Sequence, residues 1–387
     1  MATKFNYRIS IILFVFFVFF LDKNVPAVTT KTRISPPDFE KIRILLDSGQ
    51  KRVFKISYNS RFPVNVIVDN ELAFRVEDKS FSLSSDGKHL KIGHISVKGS
   101  SVQFQLRGTE DYFTYKNYKF FYSMQAVIDS DGKTYLIHML PLEDYISRVL
   151  LGEMPRKAHE EALKAQAIAS RTYCCYNILE RRIFPYDLTL ESQAFGPNEG
   201  IQPSVQATSG MVITLREHIV PAFFHTNCGG FTEYSVNVWR TYYHYSQIIE
   251  CPYCRNSKHF SWKAKFSYSE IERLLRKGGY NISPVTAVFT YSVNPKTHRT
   301  TQVIVKSPQR ELTLSANTFR LLVDSRKLKS TYFSVTNSSG YAEFEGRGYG
   351  HGVGMCQDGA QEMARKGFSA EDILRFYFPE TKIKKIY

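Results

Sequence analysis

At Pro141 the hydrophobic period of this sequence changes, and that change restricts the fold to a few layouts. Upstream, short runs with β-strand character recur: Ile42 to Leu46, Val53 to Ser57, Val64 to Val68 and Val102 to Leu106. Turn pairs such as Asp86-Gly87 and Gly99-Ser100 separate them, as in an antiparallel arrangement. Two more runs, Lys119 to Ile128 and Thr134 to Met139, flank Asp129-Ser130-Asp131-Gly132, a hairpin signal. Downstream, Leu142, Tyr145, Ile146 and Val149 recur at helical spacing. Pro141 suits the first helical position and Gly152 the stop. A second helix is predicted from Pro155 to about Arg182, in which Ala158, Ala162, Ala165 and Ala169 share one face. Small residues on one face let a neighbouring backbone approach closely. Glu153-Met154-Pro155 then occupies a tight turn between two packed helices, a rigid place to hold one side chain.

The rest is mixed. Val212 to Leu215, Ala222 to His225 and Thr301 to Lys306 read as strands, and Ser269 to Lys277 as a helix. A helix is expected from about Met355 to Lys366, closed by Gly367. Ser369 and Asp372 form a capping box for a last helix to Phe378, ended by Pro379. The expected fold class is therefore α+β. A mixed β-sheet domain with packed helices spans 118–387, a β-rich accessory region spans 28–117, and 1–27 stand apart.

Residues 1–27 have the form of a secretory signal. Lys4 and Arg8 precede an apolar run from Ile9 to Leu21, broken only by Ser10, and Val25-Pro26-Ala27 offers a cleavage site. The run is short of the roughly 20 residues a bilayer span needs. Whether cleaved or kept as an anchor, it implies export of the remainder, to the periplasm or the outer face of the cytoplasmic membrane. Membrane contact is expected only through that segment. The formal net charge is +15, which favours an anionic partner such as a wall polymer or lipid headgroup. No dense Lys/Arg run marks a nucleic-acid groove, so no nucleic-acid partner is expected. A hydrophobic share of 43% supports a genuine core rather than disorder.

His225-x-x-Cys228 and Cys251-x-x-Cys254 make two pairs at metal-ligand spacing. Four such ligands suit a closed, structural zinc site. A disulfide among Cys228, Cys251 and Cys254, or free thiols, are the alternatives, and export permits disulfides. Cys174 and Cys175 read as core thiols. Glycines at 346, 348, 350, 352 and 354 surround His351 without fitting a dinucleotide fingerprint. A lone glutamate at a helix turn reads first as a cap.

Three ordered blocks change that weighting. LPLEDYISRVLLGEMPRKAHEEALKAQAIASRTY (140–173), ATSGMVITLREHIVPAFFHTNCGGFTEYSVNVW (207–239) and GYGHGVGMCQDGAQEMARKGFSAEDILRFYFP (348–379) resemble the SpoIID/LytB family. The resemblance covers about 118–387 and makes this stretch a SpoIID-like catalytic domain. It implies a lytic transglycosylase acting on peptidoglycan glycan strands, with Glu153 as the catalytic group and no cofactor for catalysis. It also implies a rival, since some relatives are described as enhancers of a cell-wall amidase, which would be a second partner. Lys164, Gln166, Arg171 and Tyr173 on the second helix, with His351 and Gln357, are the expected substrate-binding residues. Each residue of the second helix alone reads first as a structural salt bridge or hydrogen bond, and the glycine run around His351 reads equally as a structural turn. Some relatives carry a His/Cys zinc site before a Gln in the segment after the catalytic helix. Here that segment reads Leu188-Thr-Leu-Glu-Ser-Gln193-Ala-Phe-Gly196, without the ligands, so no metal is expected close to Glu153.

Overall fold

The computed structural model describes residues 39–387 apart from Arg182. The predicted signal, 1–27, and the first residues of the accessory region, 28–38, lie outside these residues. The expected α+β class is what forms: several sheets, mostly antiparallel, and eight α-helices among the described residues. The helices are α1 (Leu142–Glu153), α2 (Glu160–Glu180), α3 (Pro203–Ala207), α4 (Ser235–Trp239), α5 (Tyr268–Lys277), α6 (Ala316–Val323), α7 (Gln357–Arg365) and α8 (Ala370–Tyr377). The chain divides into two compact units. One holds the described residues up to Glu153 together with Cys174–Gln202, and the other holds Met154–Tyr173 with Pro203–Tyr387.

The first unit is built on two sheets. A seven-stranded sheet runs in the order Leu188–Thr189, Lys41–Gln50, Lys133–Pro141, Ser123–Ile128, Ser101–Gln105, Val64–Val68, Glu71–Val76. A six-stranded sheet is centred on Phe54–Asn59 and Ser80–Ser85. Along Phe54–Asn59 every second residue is buried, the period-2 pattern of a strand with one face in the core. One apolar cluster takes Phe54, Leu83 and Phe113 from the smaller sheet and Val66, Phe104, Met124 and Leu136 from the larger.

The boundary expected after residue 117 does not coincide with this division. The sequence 119–128, read as one strand, forms two. Tyr118–Phe121 closes the six-stranded sheet and Ser123–Ile128 enters the seven-stranded one. Tyr122 joins them with φ 73°, a left-handed conformation that breaks the ladder and turns the chain from one sheet to the other. The hairpin at Asp129 forms as expected, with Lys133 N–H donating to its side chain at 2.9 Å. Pro141 does not open the helix. It remains the last residue of its strand, paired with Lys41, and α1 begins at Leu142. The predicted stripe, Leu142, Tyr145, Ile146 and Val149, is buried.

In the second unit two three-stranded sheets, Ser261–Ser267/Tyr341–Arg347/Tyr332–Ser338 and Ala287–Val293/Thr300–Lys306/Glu311–Ser315, share a core with α5 and α6. Phe266, Leu275, Val303, Phe319 and Phe344 lie at its centre. The strand expected over Ala222 to His225 is only Phe224–His225, pairing in parallel with Met355–Cys356. That pairing holds Met355 and Cys356 extended, so α7 starts at Gln357 with Cys356 as its N-cap. The Ser369/Asp372 capping box forms as predicted: the Ser369 side chain accepts from Asp372 N, and Asp372 Oδ2 accepts from Ser369 N at 3.1 Å.

Candidate functional site

Glu153 closes α1, and α2 does not begin until Glu160. The expected turn therefore starts one residue later, since Glu153 is itself the last residue of α1. At the carbonyl end of a helix a negative charge is disfavoured rather than welcomed. An opposing influence is a backbone donor, because Ala194 N–H reaches Glu153 Oε1 at 2.7 Å. The side chain is half-buried, and Leu150 and Met154 beside it in sequence are buried.

Two glycines make that contact sterically attainable. A Cβ on Gly152 would lie 2.8 Å from the Ala194 carbonyl carbon and 3.0 Å from Gly196 N. A Cβ on Gly196 would lie 2.8 Å from both Arg148 O and Leu151 Cβ. With hydrogen at both positions, Gly196 N–H donates to Arg148 O at 2.8 Å and the segment 193–196 lies flat on the end of α1. Arg148 and Phe195 complete the clamp. The Arg148 guanidinium stands 4.0 Å from the Phe195 ring centre, and its Nε donates to Gly196 O at 3.2 Å. Tyr145 stacks on Phe195 at 5.6 Å between centroids. Burial brings the Arg148 pKa down to about 10, which still leaves it fully charged near neutrality. The Gln193 side chain accepts from Cys174 Sγ at 3.3 Å. Gln193 and Gly196 are the two features of this segment that the sequence displays. The amide of Ala194 is not visible there, because any residue but proline supplies one.

The residues expected to bind substrate are placed differently. The central part of α2 is buried all round, so its polar groups are satisfied from within the protein. Arg171 is fully buried, and its guanidinium donates to the carbonyls of Met211 at 3.2 Å and Val205 at 3.3 Å. Gln166 is also fully buried. It donates to Ser170 Oγ at 3.0 Å and accepts from Gln357 Nε2 at 3.3 Å. Lys164 pairs with Glu161 at 2.8 Å and Glu160 at 2.9 Å. Tyr173 packs on Phe223, with centroids 5.8 Å apart. His351 is buried among Phe223, His225 and Trp239. Its Nδ1 accepts from Val353 N at 3.1 Å, and burial lowers its pKa well below the ordinary value, so the ring is neutral. In this arrangement Gln166 and Arg171 bind the protein's own backbone and side chains and touch no solvent. That is the structural reading the sequence left open for them.

The thiols gather elsewhere in the second unit. The sulfurs of Cys228, Cys251, Cys254 and Cys356 all lie within 4.8 Å of one another, and all four residues are buried. All six cysteines of the chain are free thiols in this structure. The group differs from the predicted set in one member, with Cys356 standing where His225 was expected. His225 turns away. Its Nδ1 meets Val353 O at 3.1 Å, and burial lowers its pKa to about 3. Burial pushes the Cys228 and Cys356 thiols up, while hydrogen bonds from Cys228, then Cys254 and Cys356, bring Cys251 down. Sequence reasoning missed Cys356 because it is remote from the other three in the chain. Its only local mark is its place directly before a helix, where Cys356 Sγ accepts from Gly359 N at 3.4 Å. The alternating glycines before it, 348 to 354, all have positive φ. Gly352 shows why one is required, since a Cβ there would lie 2.6 Å from the Arg299 guanidinium carbon.

Among the described residues no helix is long and apolar enough to cross a membrane. Comparison with known proteins places the Glu153 region in context. Residues 130–215 match the model of a family described as stage II sporulation protein, and residues 239–354 match a domain of unknown function, DUF8618. An uncharacterized protein of Brachyspira hyodysenteriae is 28% identical over 83% of this chain and 85% of its own length. Stage II sporulation protein D of Bacillus subtilis is 25% identical over 64% of this chain and 76% of its own. A Bacillus subtilis protein named amidase enhancer is 24% identical over 83% of this chain, which spans only 52% of that relative.

Proposed function

Since this chain belongs to the SpoIID/LytB family, we propose that it is an exported cell-wall protein that cleaves peptidoglycan glycan strands as a lytic transglycosylase. Glu153 is its single acid/base group. The observation that carries this reading is the mounting of that carboxyl. It ends a buried helix, one oxygen is fixed by the Ala194 amide, and two glycines hold the fixing segment in place. The matched family region, 130–215, contains every one of these parts. Export rests on the form of residues 1–27.

Hydrolysis of a glycosidic bond ordinarily takes two carboxyl groups, one as acid and one as nucleophile or base. A lytic transglycosylase manages with one, because the attacking group belongs to the substrate and is already held near its target. Glu153 as the acid gives its proton to the oxygen linking N-acetylmuramic acid to N-acetylglucosamine, and the bond from muramic C1 to that oxygen breaks. The resulting carboxylate takes the proton of the muramic 6-hydroxyl as its oxygen bonds to C1. A 1,6-anhydro sugar and a free 4-hydroxyl result, and Glu153 is protonated again. Its position at the carbonyl end of α1 favours the neutral acid, and the Ala194 amide favours the carboxylate needed in the second half. The two influences suit a group that must serve in both states.

A second reading is favoured by the relative named amidase enhancer, namely that the chain binds glycan and stimulates a wall amidase without cutting. Digestion of intact and peptide-stripped peptidoglycan, read by mass spectrometry, separates the two. Products from the wild-type protein should carry anhydro ends. Glu153→Gln, which keeps the shape and loses the proton, should lower their yield by about 10²–10⁴-fold. Unchanged yield in that variant overturns Glu153 as the catalytic group. No product from the wild type, with a purified amidase accelerated, establishes the second reading.

A further inference from the structure

We propose that Cys228, Cys251, Cys254 and Cys356 bind one Zn²⁺ as a closed tetrathiolate. The ion would tie three remote stretches of the second unit together and serve the fold rather than the reaction. Zinc held tetrahedrally by four sulfurs at about 2.3 Å places those sulfurs roughly 3.8 Å apart. The four Sγ atoms here lie within 4.8 Å of one another, with Cys228 and Cys254 at 3.3 Å. All four residues are at most 1% exposed, so four thiols converge where neither water nor a distant partner can reach them.

The surroundings are those of an anionic sulfur cluster. Cys356 Sγ accepts two backbone N–H groups, from Cys228 at 3.3 Å and Gly359 at 3.4 Å. Cys251 Sγ lies 3.1 Å from the buried hydroxyl of Tyr377. Donors of this kind accompany thiolates bound to metal and tune them. Four thiolates on Zn²⁺ leave a net charge of −2, and a buried cation stands beside them. Arg299, 1% exposed, donates from Nη2 to Cys228 O at 2.7 Å, while its Nε has no hydrogen-bond partner. Space has been kept as well. A Cβ on Gly359 would fall 2.9 Å from Cys251 Sγ and 2.0 Å from the Tyr377 oxygen, so only glycine at that point of α7 lets the cluster close.

The ligands arise from three short pieces of chain. Cys228 follows the strand Phe224–His225. Cys251 and Cys254 bracket a single 3₁₀ turn, Pro252–Cys254, and Cys356 caps α7. Met355–Cys356 already pairs with Phe224–His225, so the ion would lock that short ladder to the 251–254 turn. With four protein ligands no coordination position stays open for water or substrate, which makes a catalytic role chemically unavailable.

The full chain, purified without chelator, should carry one zinc per molecule by elemental analysis. X-ray absorption at the zinc edge should show four sulfur neighbours at about 2.3 Å. His225→Ala should keep both results. Cys356→Ser should lose the zinc or replace one sulfur by a lighter atom. If Cys356→Ser fails to fold, the wild-type absorption spectrum decides alone. A nitrogen neighbour in the wild type overturns the tetrathiolate. So does iron in place of zinc, a metal-free protein, or a disulfide among these four cysteines found by mass spectrometry after alkylation in denaturant.

Discussion

The chemistry proposed here turns on how tightly one side chain is aimed. Glu153 owes its aim to residues that carry no reactive group: the amide of Ala194 and the absent side chains of Gly152 and Gly196. Gly196→Ala tests this without touching the acid. The added methyl meets backbone and Cβ at 2.8 Å, so the 193–196 segment must lift off α1. Overpacking of this kind costs about 1–3 kcal/mol. Misplacement of a reacting group by about 1 Å is enough to slow the chemistry by roughly 10²-fold. We expect glycan cleavage by Gly196→Ala to fall mainly in kcat, with KM little changed, in assays on soluble glycan strands. Equal kcat in the variant and the wild type would show that this clamp does not aim Glu153. The buried residues teach the complementary point. Arg171 and Gln166 have the polarity of ligand-binding groups, yet each is wholly occupied by the protein itself.

At the level of elements, local rules succeeded where the chain decides its own conformation. The α8 capping box needs only Ser369, Asp372 and the helical geometry between them, and it forms. Ser369→Ala should lower stability by about 1 kcal/mol through the unsatisfied amide it leaves, with Ser369→Gly costing only a few tenths. Urea denaturation of the purified variants followed by circular dichroism would measure both. Local rules failed where pairing between distant segments intervened. Pro141 is a good first residue for a helix, but its strand is held by Lys41–Gln50 to the last residue, so α1 starts one position later. Met355 and Cys356 are likewise kept out of α7 by the strand Phe224–His225. On α2 the predicted alanines Ala162, Ala165 and Ala169 are buried, as are their neighbours in the middle of the helix, while Ala158 precedes it.

At the scale of the whole molecule, the excess of +15 is spread along the chain rather than gathered in one run. A field of that kind attracts polyanions weakly and over a distance, and salt screens it. Co-sedimentation with purified cell wall should therefore weaken as salt rises from about 0.05 to 0.5 M, where the Debye length shrinks to a few ångströms. Binding that ignores salt would assign wall recognition to neutral sugar contacts instead. The division into two units also belongs to this scale. Residue 117 precedes a strand, Tyr118–Phe121, that still belongs to the six-stranded sheet, and Tyr122 carries the chain from there into the seven-stranded one. The strands on both sides of that point bury their apolar faces in one cluster.

The sequence by itself determined the α+β class, the hairpin at Asp129, the stripe of α1 and the capped last helix, and carried the resemblance that singles out Glu153. These depend on hydrophobic period, turn chemistry and ordered motifs, which are written over a few neighbouring residues. Only the tertiary structure decided that Glu153 closes α1 rather than lying in the turn after it, and that the amide of Ala194 donates to it. It alone put Cys356 in the place foreseen for His225. Contacts between residues far apart in the chain leave no periodic trace, and a backbone amide or a missing Cβ is the same at every site until folding puts something against it.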